Sequence, residues 1–173
     1  MNEIVDVYDR NKNKLGYTKV RGVDSFKNGE YIIGVQLVIL NDKNEILITK
    51  RSDFKKVLPG KWECNGGAIA KGETPIEGLV REFKEELGII INECKLTFLK
   101  TVIDDEKHNI KEIYLYKDYI DINNLIFSDK EVSDAKYVSI NEYIKMFNDG
   151  DVVYNNDFDL KDYNNSLNIL ERN

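Results

Sequence analysis

The chain has 173 residues, of which 42% are hydrophobic and 32% charged, and its formal net charge is −6 at pH 7. A chain of this length can bury a core without disulfides or a structural metal, so we expect a single domain spanning 1–173. The acidic balance argues against a nucleic-acid backbone or an anionic membrane as the partner.

The compartment is predicted from the N-terminus and the cysteines. The first residues show neither the basic start nor the apolar run of a secretory signal, and no apolar stretch is long enough to span a bilayer. The two cysteines, Cys64 and Cys94, can form only one bridge and are expected to remain thiols. We therefore expect a cytoplasmic protein; whether it forms a homodimer is left open.

Strand-like runs dominate the N-terminal part of the chain. Runs rich in β-branched and aromatic residues predict strands over 3–8, 15–21 and 31–40. The turn-forming residues 41–44 then predict a hairpin into a further strand over 46–49.

The clearest predicted helix covers 75–87. Thr74 and Glu77 have the spacing of a capping box, and Pro75 suits the first helical position. Gly88 can adopt the left-handed conformation that ends a helix. Between these ends, apolar residues recur at helical spacing, which predicts one face packed on a sheet and an acidic face opposite.

The C-terminal half predicts more strands and two more helices. Strands are expected over 95–103, 110–119 and 136–139, and a helix should follow Ser139 and end near Gly150. A last helix is expected within 157–170. Strands interleaved with helices indicate an α/β or α+β fold, with a mixed β-sheet covered on its faces.

The acidic face of the first helix carries the residues that suggest chemistry. At about 100° per residue, Glu82 and Glu86 lie one turn apart on the same side, with Glu85 roughly 60° from Glu82. Three carboxylates are therefore expected to converge. An acidic face that simply meets solvent is the alternative, and the fixed spacing from Gly67 to Ile89 argues against it.

Like charges this close repel one another unless a cation lies among them. Mg²⁺ or Mn²⁺ suits such a site, because these ions prefer oxygen ligands and often bridge carboxylates to substrate phosphates. The backbone carbonyl of Gly67 or a neighbour could add an oxygen ligand, and Arg81 could hold one carboxylate with its guanidinium group.

The residues of this segment match a known pattern. Gly67, Glu73, Arg81-Glu82, Glu85-Glu86 and Gly88-Ile89 occupy every specified position of the Nudix box. The chain therefore resembles the Nudix hydrolases, and the strands around the box look like that family's α/β/α sandwich. The resemblance implies Mg²⁺- or Mn²⁺-dependent hydrolysis of a small-molecule substrate, a nucleoside diphosphate linked to a further group X.

The resemblance also implies roles for individual residues. Glu82 and Glu86 would be the principal metal ligands, and Glu85 a further ligand or the catalytic base. Glu73 would be an outer member of the metal site, and Arg81 an orienting group.

Outside the box, four residues are candidates with alternatives. Lys50 and Arg51 could reach substrate phosphates or remain solvated. Trp62 could stack on a base or anchor the loop before the box. Glu131 lies in a polar stretch from which some relatives supply a catalytic base, although it could also be a plain surface residue.

Two rival functions follow from the same residues. The stretch from Lys50 to Trp62 also looks like the subgroup that contains isopentenyl-diphosphate isomerase, but that enzyme needs a cysteine immediately before the box glycine. Here Gly66 occupies that position and Cys64 is displaced by two residues. A binding module without catalysis is the second rival, and the intact set of box glutamates argues against it. The sequence does not name X.

Overall fold

The computed structural model describes residues 3–128 and 130–153, so the helix predicted within 157–170 lies outside the described residues. The elements are numbered here in chain order. The strands are β1 Ile4–Tyr8, β2 Lys14–Val20, β3 Ile32–Leu40, β4 Ile46–Arg51, β5 Trp62–Glu63, β6 Gly66–Ala68, β7 Leu96–Asp104, β8 Asn109–Lys117 and β9 Val132–Val138. The helices are α1 Pro75–Leu87 and α2 Ile140–Asn148.

The strands form a two-stranded sheet and a larger mixed sheet. β1 and β2 pair as an antiparallel hairpin. The larger sheet has the order β5-β4-β3-β8-β7, with β6 paired to β3 and β9 paired to β4. The β3–β8 pair is parallel, whereas the other pairs are antiparallel.

β3 is buried along its whole length because both faces of the sheet are covered. On one face, Val35 and Leu37 belong to the same core as Leu79 and Phe83 of α1. On the other face, Val38 and Leu40 belong to a second core that includes Tyr143 of α2. The two helices thus lie on opposite faces of a mixed sheet, which confirms the predicted α/β/α layering.

The ends of α1 are the ones predicted. Thr74 accepts a hydrogen bond from the backbone N–H of Glu77 at 3.3 Å, and the Glu77 carboxylate accepts from the Thr74 N–H at 2.8 Å. Gly88 has φ +70° and donates to the Lys84 carbonyl at 3.1 Å. The apolar run after Gly88 forms no strand: Ile89 and Ile91 are buried, whereas Ile90 is 80% exposed.

One strand begins earlier than predicted, and two short strands were not predicted. β9 begins at Val132 rather than at 136, and its first residues carry polar side chains on the exposed face. β5 and β6 have only two and three residues, too few to show an alternating pattern in sequence. Their pairing with β4 and β3 is set by the sheet itself.

The β1–β2 hairpin contacts the loop that precedes α1. The N–H of Lys71 donates to the Ile4 carbonyl at 2.9 Å, and the N–H of Gly72 donates to the Asp6 carboxylate at 3.0 Å. The N-terminal hairpin therefore supports the loop from which α1 begins. None of the helices in the described part of the chain has the length and apolarity needed to cross a membrane.

Candidate active site

The site is built where β6 leads into the loop and helix α1. β6 pairs with β3, which places Gly67 opposite Val35. A Cβ atom on Gly67 would lie only 2.3 Å from Cδ of Glu82, so a residue with a side chain could not be accommodated unless that carboxylate moved. Glycine at this position lets the carboxylate of Glu82 lie directly against the backbone of β6.

Arg81 organises the acidic face of α1. Its guanidinium group donates to both carboxylate oxygens of Glu73, at 2.7 and 3.0 Å. It also donates to Glu82 at 2.9 Å, to Glu85 at 3.2 Å and to the carbonyl of Ala68 at 3.1 Å. A planar group with five N–H donors can satisfy all these acceptors at once.

The contacts of Arg81 keep Glu73 ionised. The hydrogen bonds from Arg81 lower the pKa of the Glu73 carboxyl, and the N–H of Ala70 adds a further hydrogen bond at 2.8 Å. The same contact with Glu73 raises the pKa of Arg81 above its ordinary value. Arg81 and Glu73 therefore form an ion pair beside Glu82.

Glu82 and Glu86 have different surroundings from Glu73. Burial raises the pKa of both carboxyls, that of Glu86 to about 7, and the charge of Glu82 contributes to the shift of Glu86. Glu86 accepts a hydrogen bond from Nδ2 of Asn65 at 2.9 Å, and Thr49 in turn donates to Oδ1 of Asn65. Two adjacent carboxylates in a partly buried site attract a cation.

The loop before β9 brings Glu131 toward this pair. The carboxylate of Glu131 forms an ion pair with Lys55. Lys55 is close enough to Glu86 for its charge to lower the pKa of that carboxyl. The N–H of Ser128 also donates to the Glu86 carbonyl at 3.0 Å, which fixes this loop against the end of α1. Glu131 is thus linked to the site through Lys55, which pairs with it and whose charge acts on Glu86.

The expected convergence of three carboxylates is not found. Glu85 has a side chain that is 62% exposed, and it contacts Arg81 on the outer side of α1. Within the described ranges 3–128 and 130–153, no three Asp, Glu, His or Cys side chains form a group that could hold a metal ion. Arg81 donates to Glu73, Glu82 and Glu85, whereas Glu86 accepts from Asn65. Glu82 is the carboxylate whose charge raises the pKa of Glu86.

Arg51 is an anchor for the loop that follows β4. Its guanidinium group donates to Glu63 at 2.7 Å and to the carbonyls of Val57 at 2.7 Å and Leu58 at 3.2 Å. Its side chain is only 16% exposed. These contacts hold Arg51 in the protein rather than leaving it free for a phosphate group.

Lys50 and Trp62 lie on the other face of the sheet. Thr49 points toward Asn65, so the next residue on the strand, Lys50, points the opposite way. Trp62 pairs across from Lys50 and packs on the core that contains α2, with Nζ of Lys136 at 4.9 Å from its ring. The structure does not bring Lys50 or Trp62 to the carboxylates of α1.

A polar cleft of about 170 Å³ adjoins Gly67. Side chains from β3, β8 and the end of β2 line it, and Gly66 and Gly67 contribute backbone. Its polar side chains are those of Arg21, Gln36, Glu63, Asn109 and Lys111. Gly67 contacts Glu82 on the face of the sheet that packs on α1. Gln36 alternates with Val35 and Leu37, so its side chain lies on the opposite face, and the backbone of β6 at Gly67 separates the cleft from the acidic pair.

Known proteins resemble this chain in sequence and in structure. Residues 30–156 match the NUDIX domain. The chain belongs to the Nudix hydrolase family. This Nudix hydrolase is 30% identical over 149 residues to a Nudix hydrolase of Listeria monocytogenes, covering 86% of each chain. It is 32% identical over 108 residues to the nucleoside triphosphatase NudI of Escherichia coli, covering 58% of this chain and 77% of the relative.

Solved structures show the same fold. A crystal structure of a Deinococcus radiodurans protein superposes with a TM-score of 0.73 at 19% identity, covering 87% of this chain and 92% of that one. The MutT protein from Methanosarcina mazei superposes with a TM-score of 0.55 at 29% identity, covering 67% and 82%. The first likeness shows the fold alone. These findings confirm the fold class and the family expected from the box.

Cys64 does not have the environment of a reactive thiol in this Nudix hydrolase. It is 3% exposed, and burial raises its pKa to about 12. A thiol of that kind stays protonated at neutral pH. Together with Gly66 in the position before the box glycine, this environment argues against the isomerase alternative.

Several site residues were missed by sequence reasoning. Asn65 and Thr49 position Glu86, and Lys55 links Glu86 to Glu131. No sequence pattern marks Thr49 or Asn65 as a site residue, because their role depends on contacts between segments that are distant in the sequence. Lys55 and Lys56 are equivalent in sequence, and the structure distinguishes them: Lys55 is half-buried and pairs with Glu131, whereas Lys56 is exposed.

Proposed function

We propose that this Nudix hydrolase uses Mg²⁺ or Mn²⁺ to cleave the diphosphate linkage of a nucleoside diphosphate joined to a group X. The observation that supports it most directly is the pair Glu82 and Glu86, held partly buried on consecutive turns of α1, with Glu82 against the backbone of Gly67. Each carboxylate raises the cost of ionising the other, and a divalent cation removes that cost.

The residues present fit such an ion. Mg²⁺ is commonly bound by one or two carboxylates together with substrate phosphates and water, and Glu82 with Glu86 would supply the two carboxylates. The carbonyl of Gly67 would add a further oxygen ligand, and Glu73 and Glu85, which Arg81 holds, would be outer members of the site. When bound, the metal would neutralise the diphosphate oxygens and acidify an attacking water.

The remaining steps fall to side chains of the protein. Arg81 would keep the carboxylate of Glu82 in place by its hydrogen bond. Glu131 is the better placed of the two predicted bases, because Lys55 links it to Glu86, whereas Glu85 lies on the outer side of α1. Lys55 would turn from Glu131 toward a substrate phosphate, which would free Glu131 to accept a proton.

The name of one relative suggests a further class of substrates to test. NudI is named a nucleoside triphosphatase, so nucleoside triphosphates belong beside diphosphate conjugates in the panel.

Arg51 is proposed as a loop anchor, and contact of Lys50 or Trp62 with substrate has no support from the geometry. The single domain over 1–173 and the cytoplasmic location remain predictions; no oligomeric state is proposed.

The test is a panel of nucleoside triphosphates and nucleoside diphosphate conjugates, with Mg²⁺ or Mn²⁺, scored by release of phosphate-containing products. We expect turnover of at least one class, and a loss of two or more orders of magnitude in both Glu82→Gln and Glu86→Gln. Isopentenyl diphosphate is included as a separate arm, and formation of its dimethylallyl isomer would favour the isomerase. Binding of a nucleotide without any turnover would favour the non-catalytic module.

A further inference from the structure

The cleft beside Gly67 holds two amide oxygens without partners. Within the described residues, Oε1 of Gln36 and Oδ1 of Asn109 are buried atoms that accept no hydrogen bond. Gln36 is 2% exposed and comes from the central strand β3, and Asn109 begins the parallel strand β8. Buried acceptors of this kind are uncommon, because leaving one unpaired costs about 1–3 kcal/mol.

The orientation of Gln36 is set by its other amide atom. Nε2 donates to the backbone carbonyl of Cys64 at 3.3 Å. A carbonyl oxygen can only accept, so a rotated amide would place two acceptors against each other. The Oε1 atom is therefore the one left to face a ligand.

The rest of the cleft carries charges of both signs. Arg21, Lys111 and Glu63 line it, and Arg21 donates to the Glu3 carboxylate at 2.8 Å. Gly34 carries no side chain, and a Cβ there would lie 3.4 Å from Oδ1 of Asn109. At about 170 Å³ the cleft is smaller than the roughly 300–1,000 Å³ of sites for drug-sized ligands, so it suits one group of a substrate rather than the whole.

We propose that Gln36 and Asn109 form a specificity site that accepts hydrogen bonds from the substrate, such as those of a base amino group or a sugar hydroxyl. This proposal rests on the proposed function, since it assumes that the phosphates lie at Glu82 and Glu86. A substrate bound in the cleft would reach those phosphates by passing the side-chain-free backbone of Gly66 and Gly67, since Gln36 lies on the face of the sheet opposite α1. Substrates without a donor at the right position leave both oxygens unpaired and are disfavoured.

The first experiment compares matched substrates. The ratio of kcat/KM is measured for ATP against ITP, for CTP against UTP, and for ribonucleotides against their 2′-deoxy forms, with Mg²⁺. We expect at least one pair to be separated by about 10-fold or more in favour of the donor. The base pairs and the sugar pair distinguish an amino group from a hydroxyl as the donor.

Variants assign that preference to the cleft. Gln36→Met keeps the length of the side chain but removes the acceptor, so the preference should fall to within about twofold. Asn109→Ala, at a half-buried position, is the second variant in case the change on β3 prevents folding. Asn124→Ala, at an exposed position whose amide contacts Asp121, is the control and should keep the preference.

Binding separates this proposal from the proposed function. Calorimetric titration of the same nucleotides into Glu131→Gln with Mg²⁺ reports the preference without turnover, because this variant lacks the proposed base but keeps Glu82 and Glu86. If donor-bearing nucleotides bind more tightly and Gln36→Met abolishes the difference, the specificity site stands even when no hydrolysis is seen. Hydrolysis with no preference in any pair, a preference unchanged in both cleft variants, or no nucleotide binding would overturn it.

Discussion

Arg81 accounts for most of the order on the acidic face of α1. Its hydrogen bonds reach Glu73, Glu82, Glu85 and a backbone carbonyl, so it acts on the site through other residues. A lysine at this position could carry the charge but could not contact both oxygens of Glu73 and also reach Glu82. The identity of the residue therefore matters more than its charge.

We predict that Arg81→Lys lowers both activity and stability. Activity should fall roughly 10- to 100-fold, because a ligand carboxylate loses its support. The free energy of unfolding should fall by about 1–3 kcal/mol with the lost charged hydrogen bonds. Steady-state kinetics and urea unfolding measure the two effects. Lys84→Arg, the reverse exchange at an exposed position on the same helix, should change neither; an equal effect there would contradict the argument.

At the scale of elements, α1 ends where Gly88 adopts a positive φ. A Cβ atom at Gly88 would meet Cβ of Ile126 at 3.0 Å, in the segment that continues to the Glu131 loop. The same glycine thus ends the helix and lets a second segment pack on it. The N–H of Ile126 also donates to the Leu87 carbonyl at 2.9 Å, which closes the contact.

We predict that Gly88→Ala costs about 1–2 kcal/mol of stability, from the strained backbone and the close contact together. Gly150→Ala is the matched control, since Gly150 also has a positive φ of 76° but nothing lies within 4 Å of its Cβ position. It should cost about 1 kcal/mol or less, from the backbone alone. Thermal or urea unfolding checks both variants. Equal losses would show that the contact with Ile126 adds nothing.

A buried glutamate, Glu30, holds the N-terminal hairpin in place. Glu30 pairs with Lys19 and accepts from the hydroxyl of Tyr17 at 3.0 Å and from the N–H of Lys27 at 2.9 Å. The hydrogen bond from Lys19 is the largest cause that lowers the pKa of Glu30 from 4.5 to about 2. Because the folded value lies below the unfolded one, Glu30 stabilises the fold above pH 4.5, and this contribution is lost as the pH falls toward 2.

We therefore predict that Glu30→Gln lowers the melting temperature at neutral pH. The difference from the unaltered protein should shrink as the pH is lowered from about 5 toward 2.5, since protonated Glu30 resembles glutamine. Melting curves across this range measure the difference. Glu93→Gln, at an exposed position, is the control and should show little effect at neutral pH. A difference that stays constant with pH would contradict the role of the Glu30 charge.

For the whole molecule, sequence patterns predicted features that are local in the chain. The capping residues Thr74 and Gly88 and the apolar face between them fix α1, and the box residues fix the reaction class. Features that depend on contacts across the sheet could not be predicted. The pairing of β4 with β5 and β9 decides which face of the sheet Thr49 and Lys50 point to. The separation of Lys50 from Glu86 follows from that pairing and could not be predicted.

The same limit applies to the cleft. Gln36 lies in an apolar strand, where a single polar residue gives no indication of its purpose. Its role is indicated by two neighbours that are distant in sequence: the carbonyl of Cys64, to which its amide donates, and Asn109, which lines the same cleft. Arg21 enters from the hairpin, outside the range that matches the NUDIX domain. The residues that indicate the reaction class are therefore close together in the sequence. The residues of the proposed specificity site come together only when the sheet forms.

Metal binding couples the site to the stability of the whole protein. An ion that binds the folded state alone stabilises it by about 2.7 kcal/mol at a concentration 100 times its Kd. For a chain of this size we expect Mg²⁺ or Mn²⁺ to raise the melting temperature by roughly 5–10 °C over the protein in EDTA. Glu82→Gln and Glu86→Gln should lose most of this increase, because each removes a carboxylate from the adjacent pair.

Glu85→Gln is the informative comparison in the same melting experiment. Glu85 is 62% exposed and turned toward Arg81, so its removal should leave most of the increase in melting temperature. Each variant is compared with its own melting temperature in EDTA, which removes differences in intrinsic stability. If Glu85→Gln loses the increase as fully as Glu86→Gln, then Glu85 must leave Arg81 on binding, and the ion is held by three carboxylates rather than by two.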